Sequence, residues 1–97
     1  MLLKIFTVFD AKAEAYMQPF FMQSTGQALR SFEDTVNNPE SIFNKHAEDF
    51  TIFEIGTFED SNAYFQILDS KIPLGTALEY VKKQEIPMPN QPKLTQV

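Results

Sequence analysis

Cysteine is absent from this chain of 97 residues, so no disulfide framework, thiolate metal site or cysteine nucleophile is open to it. Nor does anything in it point to an oxidising compartment. Tryptophan is missing too, arginine occurs once, at Arg30, and histidine once, at His46. The three glycines, at 26, 56 and 75, are too scattered to form a phosphate-cradling loop. No apolar run approaches the about 18 residues that span a bilayer. The opening "MLLKIFTVFD" has a short apolar stretch with no basic region before it and no small-residue cleavage site, so no signal peptide is expected. Bases are also scarce: eight against thirteen acids give a net charge of −5. That balance argues against a generic phosphate-binding face, while leaving a local basic site open.

What the chain has instead is aromatic bulk. Ten Phe and three Tyr supply large buried areas suited to a thin core of one sheet and a few helices. An apolar fraction of 43% is within the globular range, and the length allows one core rather than two. Residues 3–9, "LKIFTVF", read as a strand with Leu3, Ile5, Thr7 and Phe9 on one face. Phe6 and Val8 make the other face apolar as well, so covering on both sides is expected. "DAKAEA" breaks the pattern. Residues 15–23, "AYMQPFFMQ", read as a second strand, and Pro19, lacking an N–H, places it at an edge or a bulge. Phe20 and Phe21 then point to opposite faces, one into the core and one needing a cover.

Ser24 and Gln27 have capping-box spacing, and Ala28, Leu29, Phe32 and Val36 recur at helical spacing. A helix over 25–37 follows, ended by "NNP", where Asn suits a left-handed cap and Pro39 blocks continuation. Residues 40–49 predict a short helical turn. "FTIFEIGTF", 50–58, is the strongest strand, with Phe50, Ile52, Glu54 and Phe58 assigned to one face and Phe53 and Ile55 to the other. "EDSN" is a turn and "AYFQILD", 63–69, the returning strand of a hairpin. In "IPLGTALEYVKK", Leu74, Ala77, Leu78 and Val81 form a helical stripe, with Lys82 and Lys83 at the negative end of the dipole. The G-x-A-L at Gly26 recurs at Gly75. It suggests two ββα halves. The expected fold is therefore α+β: a mostly antiparallel four-stranded sheet with two helices packed on one face, ββα-ββα, as a single domain over 1–84. Residues 85–97, with Pro87, Pro89 and Pro92, are expected to be a flexible tail.

Chemistry is sparse. His46 stands beside Glu48 and Asp49, which reads as a solvated acidic loop rather than a metal site. No nucleophile has a base, and the paired carboxylates at 33/34, 48/49 and 59/60 fall at element ends or on helix surfaces. No enzyme, catalytic residue, metal or cofactor is expected. Arg30 has two readings: a stacking or phosphate-clamping cation, or an ion pair with Asp34 one turn on. Tyr16, Phe20, Phe21 and Phe43 likewise read either as a stacking platform for single-stranded nucleic acid or as core plus a subunit interface.

The stretches Gln18-Pro19-Phe20-Phe21, Ala28 to Phe32, Lys45-His46, Glu48-Asp49-Phe50 and Phe53-Glu54-Ile55-Gly56 resemble the small non-structural protein of gokushoviruses, single-stranded DNA phages of the Microviridae. The resemblance covers about residues 3–83 and weakens past 60. It implies a protein of the infected bacterium's cytoplasm that assists genome replication or packaging, often labelled DNA-binding, with no catalytic motif to carry over. The resulting expectation is a homodimer, with no membrane association, binding single-stranded DNA weakly. Tyr16, Phe20 and Phe21 would stack on bases, and Lys4, Arg30 and Lys45 would meet phosphates, so binding should fall steeply with salt. The alternative is a module that binds a phage or host replication or assembly protein, using the Pro19 edge strand.

Overall fold

The computed structural model describes residues 1–82. The Pro-rich stretch 85–97 and Lys83 lie outside them. In chain order the elements are β1 (Leu2–Asp10), β2 (Ala15–Tyr16), β3 (Phe20–Met22), α1 (Thr25–Val36), α2 (Ile42–Lys45), a 3-10 turn (Ala47–Asp49), β4 (Phe50–Glu59), β5 (Tyr64–Thr76) and α3 (Ala77–Tyr80). The architecture is α+β, an antiparallel curled sheet with short helices. Its strand order is β2-β1-β4-β5, and β3 joins β1 on the same side as β2.

The expected strand 15–23 is split in two. Phe9 pairs with Tyr16, but Phe6 pairs with Phe20, so one extra residue lies between the two pairings. Pro19 falls in the gap, where no ladder donor is needed. The gap stays tied to β1: Met17 N–H donates to the Val8 carbonyl at 2.8 Å, and the Thr7 hydroxyl donates to the Met17 carbonyl at 2.7 Å. Phe20 faces the helices and stacks on Phe6, with ring centroids 5.7 Å apart, while Phe21 takes the other face.

Three further irregularities bend the sheet, one of them between β4 and β5 where Ile52 opposes Gly75 and Phe53 opposes Pro73, leaving Leu74 extra. Between β1 and β4, Ile5 opposes Gly56 and Phe6 opposes Glu54, which leaves Ile55 as a bulge. Between β4 and β5, Gly56 opposes Ile67 and Glu54 opposes Ile72, so residues 68–71 bulge outward opposite Ile55. The bulge at Ile55 resets the alternation. Phe58 does not share a face with Phe50 and Ile52; it lies with Phe53 on the opposite face, against Phe21 and Phe65. Gly56 is where the strands approach most closely: a Cβ there would overlap the Gln66 carbonyl oxygen and sit 3.0 Å from Ile67 Cα.

All three helices pack on one face of the sheet. Val8, Phe32, Val36, Ala47, Phe50, Ile52 and Ala77 form the buried core, flanked by Phe20, Leu29, Phe43, Leu74 and Tyr80. α1 begins as expected: Ser24 Oγ accepts from Gln27 N–H at 3.1 Å. Gln27 Oε1 reaches back to Gln23 N–H at 3.1 Å rather than to Ser24. Its end differs. Asn37 has φ −92° and ψ 3°, not a left-handed conformation. Its side chain does the joining instead, donating to the Glu33 and Tyr80 carbonyls at 2.8 and 3.0 Å and accepting from Lys82 N–H at 2.8 Å.

The second expected helix begins as strand and is short. β5 runs through Thr76, and only Ala77–Tyr80 is helical. Gly75, at φ +132°, makes the corner, and Thr76 with Glu79 forms the capping box that starts α3. Ala77 is buried, but Leu78 and Val81 are exposed, so the stripe read from spacing does not form. The two halves are thus not alike: Gly26 lies inside α1 and Gly75 lies in a strand.

Candidate functional site

The face of the sheet turned away from the helices carries six aromatic rings. They arise from alternation in β1, β4 and β5 together with the two parity resets at residues 17–19 and 55, and they form two clusters. At one end Tyr16 stands between Phe9 and Phe53, at centroid distances of 4.7 and 5.9 Å. At the other, Phe21, Phe58 and Phe65 form a triangle with sides of 5.6, 4.6 and 6.3 Å. Ile5 and Thr7, both buried, run beneath them at the centre of β1. No described helix packs on this face, and Tyr16, Phe21 and Phe65 remain 48%, 41% and 52% exposed.

Between the clusters lies an open apolar groove of about 400 Å³. Tyr16, Met17 and Pro19 form one wall, Ile67 and Leu68 the other, with Thr7 and Ile55 at the floor. The 68–71 bulge of β5 supplies the second wall and brings Lys71 across the sheet. Its ammonium lies 5.5 Å from the Tyr16 ring centre and 5.6 Å from that of Phe53, within cation–π range. Asp69 lines the same groove, so the local charge is mixed.

Of the six residues singled out from the sequence, this face holds two, Tyr16 and Phe21. Phe20 belongs to the helix-side core against Phe6. Lys4 is also on the helix side and is committed there: its ammonium lies 3.5 Å from Glu54 Oε2 and donates to Thr25 Oγ1 at 3.1 Å. Thr25 in turn donates to Glu54 Oε1 at 3.2 Å, closing a triangle at the start of α1. Arg30 is exposed on α1 and forms no ion pair with Asp34 among the described residues. Lys45 is exposed at the end of α2. The predicted bases therefore stand with the helices, across the sheet from Tyr16 and Phe21. Phe43, the fourth aromatic of the platform reading, packs on Phe50 in the core at 4.7 Å.

Phe53, Phe58, Phe65 and Lys71 were not among the residues chosen from the sequence. Gly56, inside the strongest strand pattern, is the signal that locates the bulge and so moves Phe58 to the aromatic face. Lys71 had no comparable signal, because the reach of the 68–71 bulge depends on pairing.

His46 is exposed at the end of α2, and among the described residues no three of His, Cys, Asp or Glu come together as a metal-binding group would require. No described helix is long and apolar enough to cross a membrane. What the face can do chemically is stack planar groups against exposed rings and offer one cation beside them.

No curated protein and no solved structure matches the chain. A family model described as Phage ORF5 protein matches residues 3–80, which takes in every element of the sheet and both aromatic clusters. A match over that much of its length makes this chain a member of the Phage ORF5 protein family.

Proposed function

We propose that this phage protein binds single-stranded DNA on its aromatic sheet face, without a catalytic role and without a cofactor, and that it does so in the cytoplasm of the infected bacterium. The gokushovirus resemblance supports a place in replication or packaging of a single-stranded genome. One observation carries the reading. Exposed Tyr16, Phe21 and Phe65 lie on a single uncovered face, on either side of a groove with Lys71 at its rim. Bases of any identity have a π-face to lay on such rings, so recognition would be tolerant of sequence.

The separation of charge from aromatics changes the expected salt response. With Lys4 paired to Glu54 and Arg30 and Lys45 on the helix side, Lys71 is the cation that the described residues place beside the rings, enough for one or two phosphate contacts. At about −0.7 per phosphate for single strands, the logarithmic salt slope would be about −0.7 to −1.4 rather than steep. Stacking, worth about 1–3 kcal/mol per base, supplies most of the affinity.

The test is fluorescence anisotropy of a labelled oligothymidylate at low ionic strength. Saturable binding is expected. Tyr16→Ala with Phe21→Ala should lower affinity at least tenfold, while Arg30→Ala and Lys45→Ala leave it within twofold. No change in anisotropy at high protein concentration would sink the reading, as would dependence on Arg30 and Lys45 but not on the rings.

A second reading, a module for a phage or host replication or assembly protein, is favoured by the net charge of −5, which repels nucleic acid at long range. It predicts that the same Tyr16 and Phe21 variants lose a protein partner from infected-cell extracts while oligonucleotide binding is absent throughout.

A further inference from the structure

The two edges of the sheet are built differently. One is broken into β2 and β3 with Pro19 between them, and such interruption protects an edge from pairing. The other is β5, a strand of thirteen residues that among the described residues pairs only with β4. Residues 64–73 are exposed along it. In the stretch 64–68, Tyr-Phe-Gln-Ile-Leu, there is no proline, glycine or charge. Four of its five residues are large and apolar, and Ile67 is 58% exposed. An edge of that kind offers unpaired N–H and C=O groups to another strand, together with apolar side chains on both faces.

We propose that the occupant of this edge is a second copy of the chain, with the two β5 strands pairing antiparallel about a twofold axis at Gln66. The register is self-complementary. Gln66 faces its own copy, Phe65 faces Ile67, and Tyr64 faces Leu68, so every cross-strand pair is apolar with apolar or amide with amide. Charge also permits a self-pairing here. Two chains of −5 repel, yet 64–68 brings no charge to the contact, and the nearest acid, Asp69 just beyond Leu68, would face Ala63 of the other copy rather than another acid. A foreign strand would have no such match of register and neutrality built in.

A twofold perpendicular to the sheet keeps the two aromatic faces on the same side. The Phe21, Phe58 and Phe65 clusters of the two copies then meet across the axis, with Phe65 nearest it. Resting on the nucleic-acid reading, this joins two platforms into one longer track for a strand. The dimer itself does not depend on that reading.

Sedimentation velocity without nucleic acid, over about 10–300 µM, a range that brackets modest interfaces, gives the mass. A dimer is expected. Because the chain has no cysteine, Gln66→Cys places one thiol per copy at the axis. Facing Cα atoms in an antiparallel pair are about 4.5–5.5 Å apart, within disulfide reach. Gln66→Cys should therefore cross-link under mild oxidation far faster than Asp34→Cys on exposed α1. Ile67→Lys should return the protein to monomer with its circular-dichroism melt retained. A monomer throughout, or a dimer that survives Ile67→Lys and cross-links no faster at 66 than at 34, overturns the proposal.

Discussion

Adding one methyl group at Gly56 tests whether the sheet is built as described. Its Cβ would overlap the Gln66 carbonyl oxygen and lie 3.0 Å from Ile67 Cα and 3.1 Å from Ile67 Cδ1. Two of those three atoms are backbone of the neighbouring strand, so the contact cannot be relieved by turning a side chain. β5 must move away from β4, which strains the pairing at the site, Gly56 with Ile67, and the next one, Thr57 with Gln66. Overpacking of this kind costs about 1–3 kcal/mol. The alanine also restricts the unfolded chain, which offsets about 0.4–1 kcal/mol. The net expectation is a loss of about 1–2 kcal/mol, or a fall in Tm of roughly 5–15 °C for a domain of this size. Gly26→Ala is the matched control. There the added Cβ meets only Ser24 Oγ at 3.9 Å, inside a helix, so stability should rise by about 0.5–1 kcal/mol. Thermal and urea unfolding followed by circular dichroism measure both. Equal stabilities for Gly56→Ala and the parent, or a loss at Gly26 as large as that at Gly56, would refute the register on which the aromatic face depends.

Other expectations follow from single contacts. The Tyr80 hydroxyl donates to the Leu74 carbonyl at 2.8 Å, and burial, then Glu79 and Glu33, raise its pKa above 10.0. A raised acid keeps its full contribution below the unfolded value and loses it as pH climbs through the folded one, so stability should fall above about pH 10. Tyr80→Phe should remove that slope at a cost near 1 kcal/mol at neutral pH, read by melts across pH. Asn37→Ala frees the Tyr80 carbonyl and the Lys82 N–H, and should cost about 1–2 kcal/mol and increase hydrogen exchange in α3 before α1.

The helix α1 was legible because its signals are local: Ser24 and Gln27 at its start, Ala28, Phe32 and Val36 along one side, Pro39 beyond its end. β1 and β4 were legible for the same reason, as dense β-branched and aromatic runs. What alternation cannot show is where it is reset. One extra residue at 17–19 and one at 55 sent Phe21 and Phe58 to a common face, and no count of odd and even positions foretells that without the partner strands. The second helix was misread because Leu74, Ala77, Leu78 and Val81 have helical spacing by coincidence. The stronger signal, Thr76 three residues before Glu79, marks a later start, and Pro73 and Gly75 suit the strand end before it. The candidate site suffered most. Tyr16 and Phe21 were visible as aromatics near a proline, but their separation from Lys4, Arg30 and Lys45 is a matter of which side of the sheet each element occupies.

Amide chemical-shift mapping of the labelled protein with an unlabelled oligothymidylate addresses the aromatic face most directly. Shifts centred on Tyr16, Phe21, Phe53, Phe65 and Lys71, with Arg30 and Lys45 unmoved, are the expected result. Shifts confined to α1 and α2, or no shifts at millimolar oligonucleotide, would contradict it.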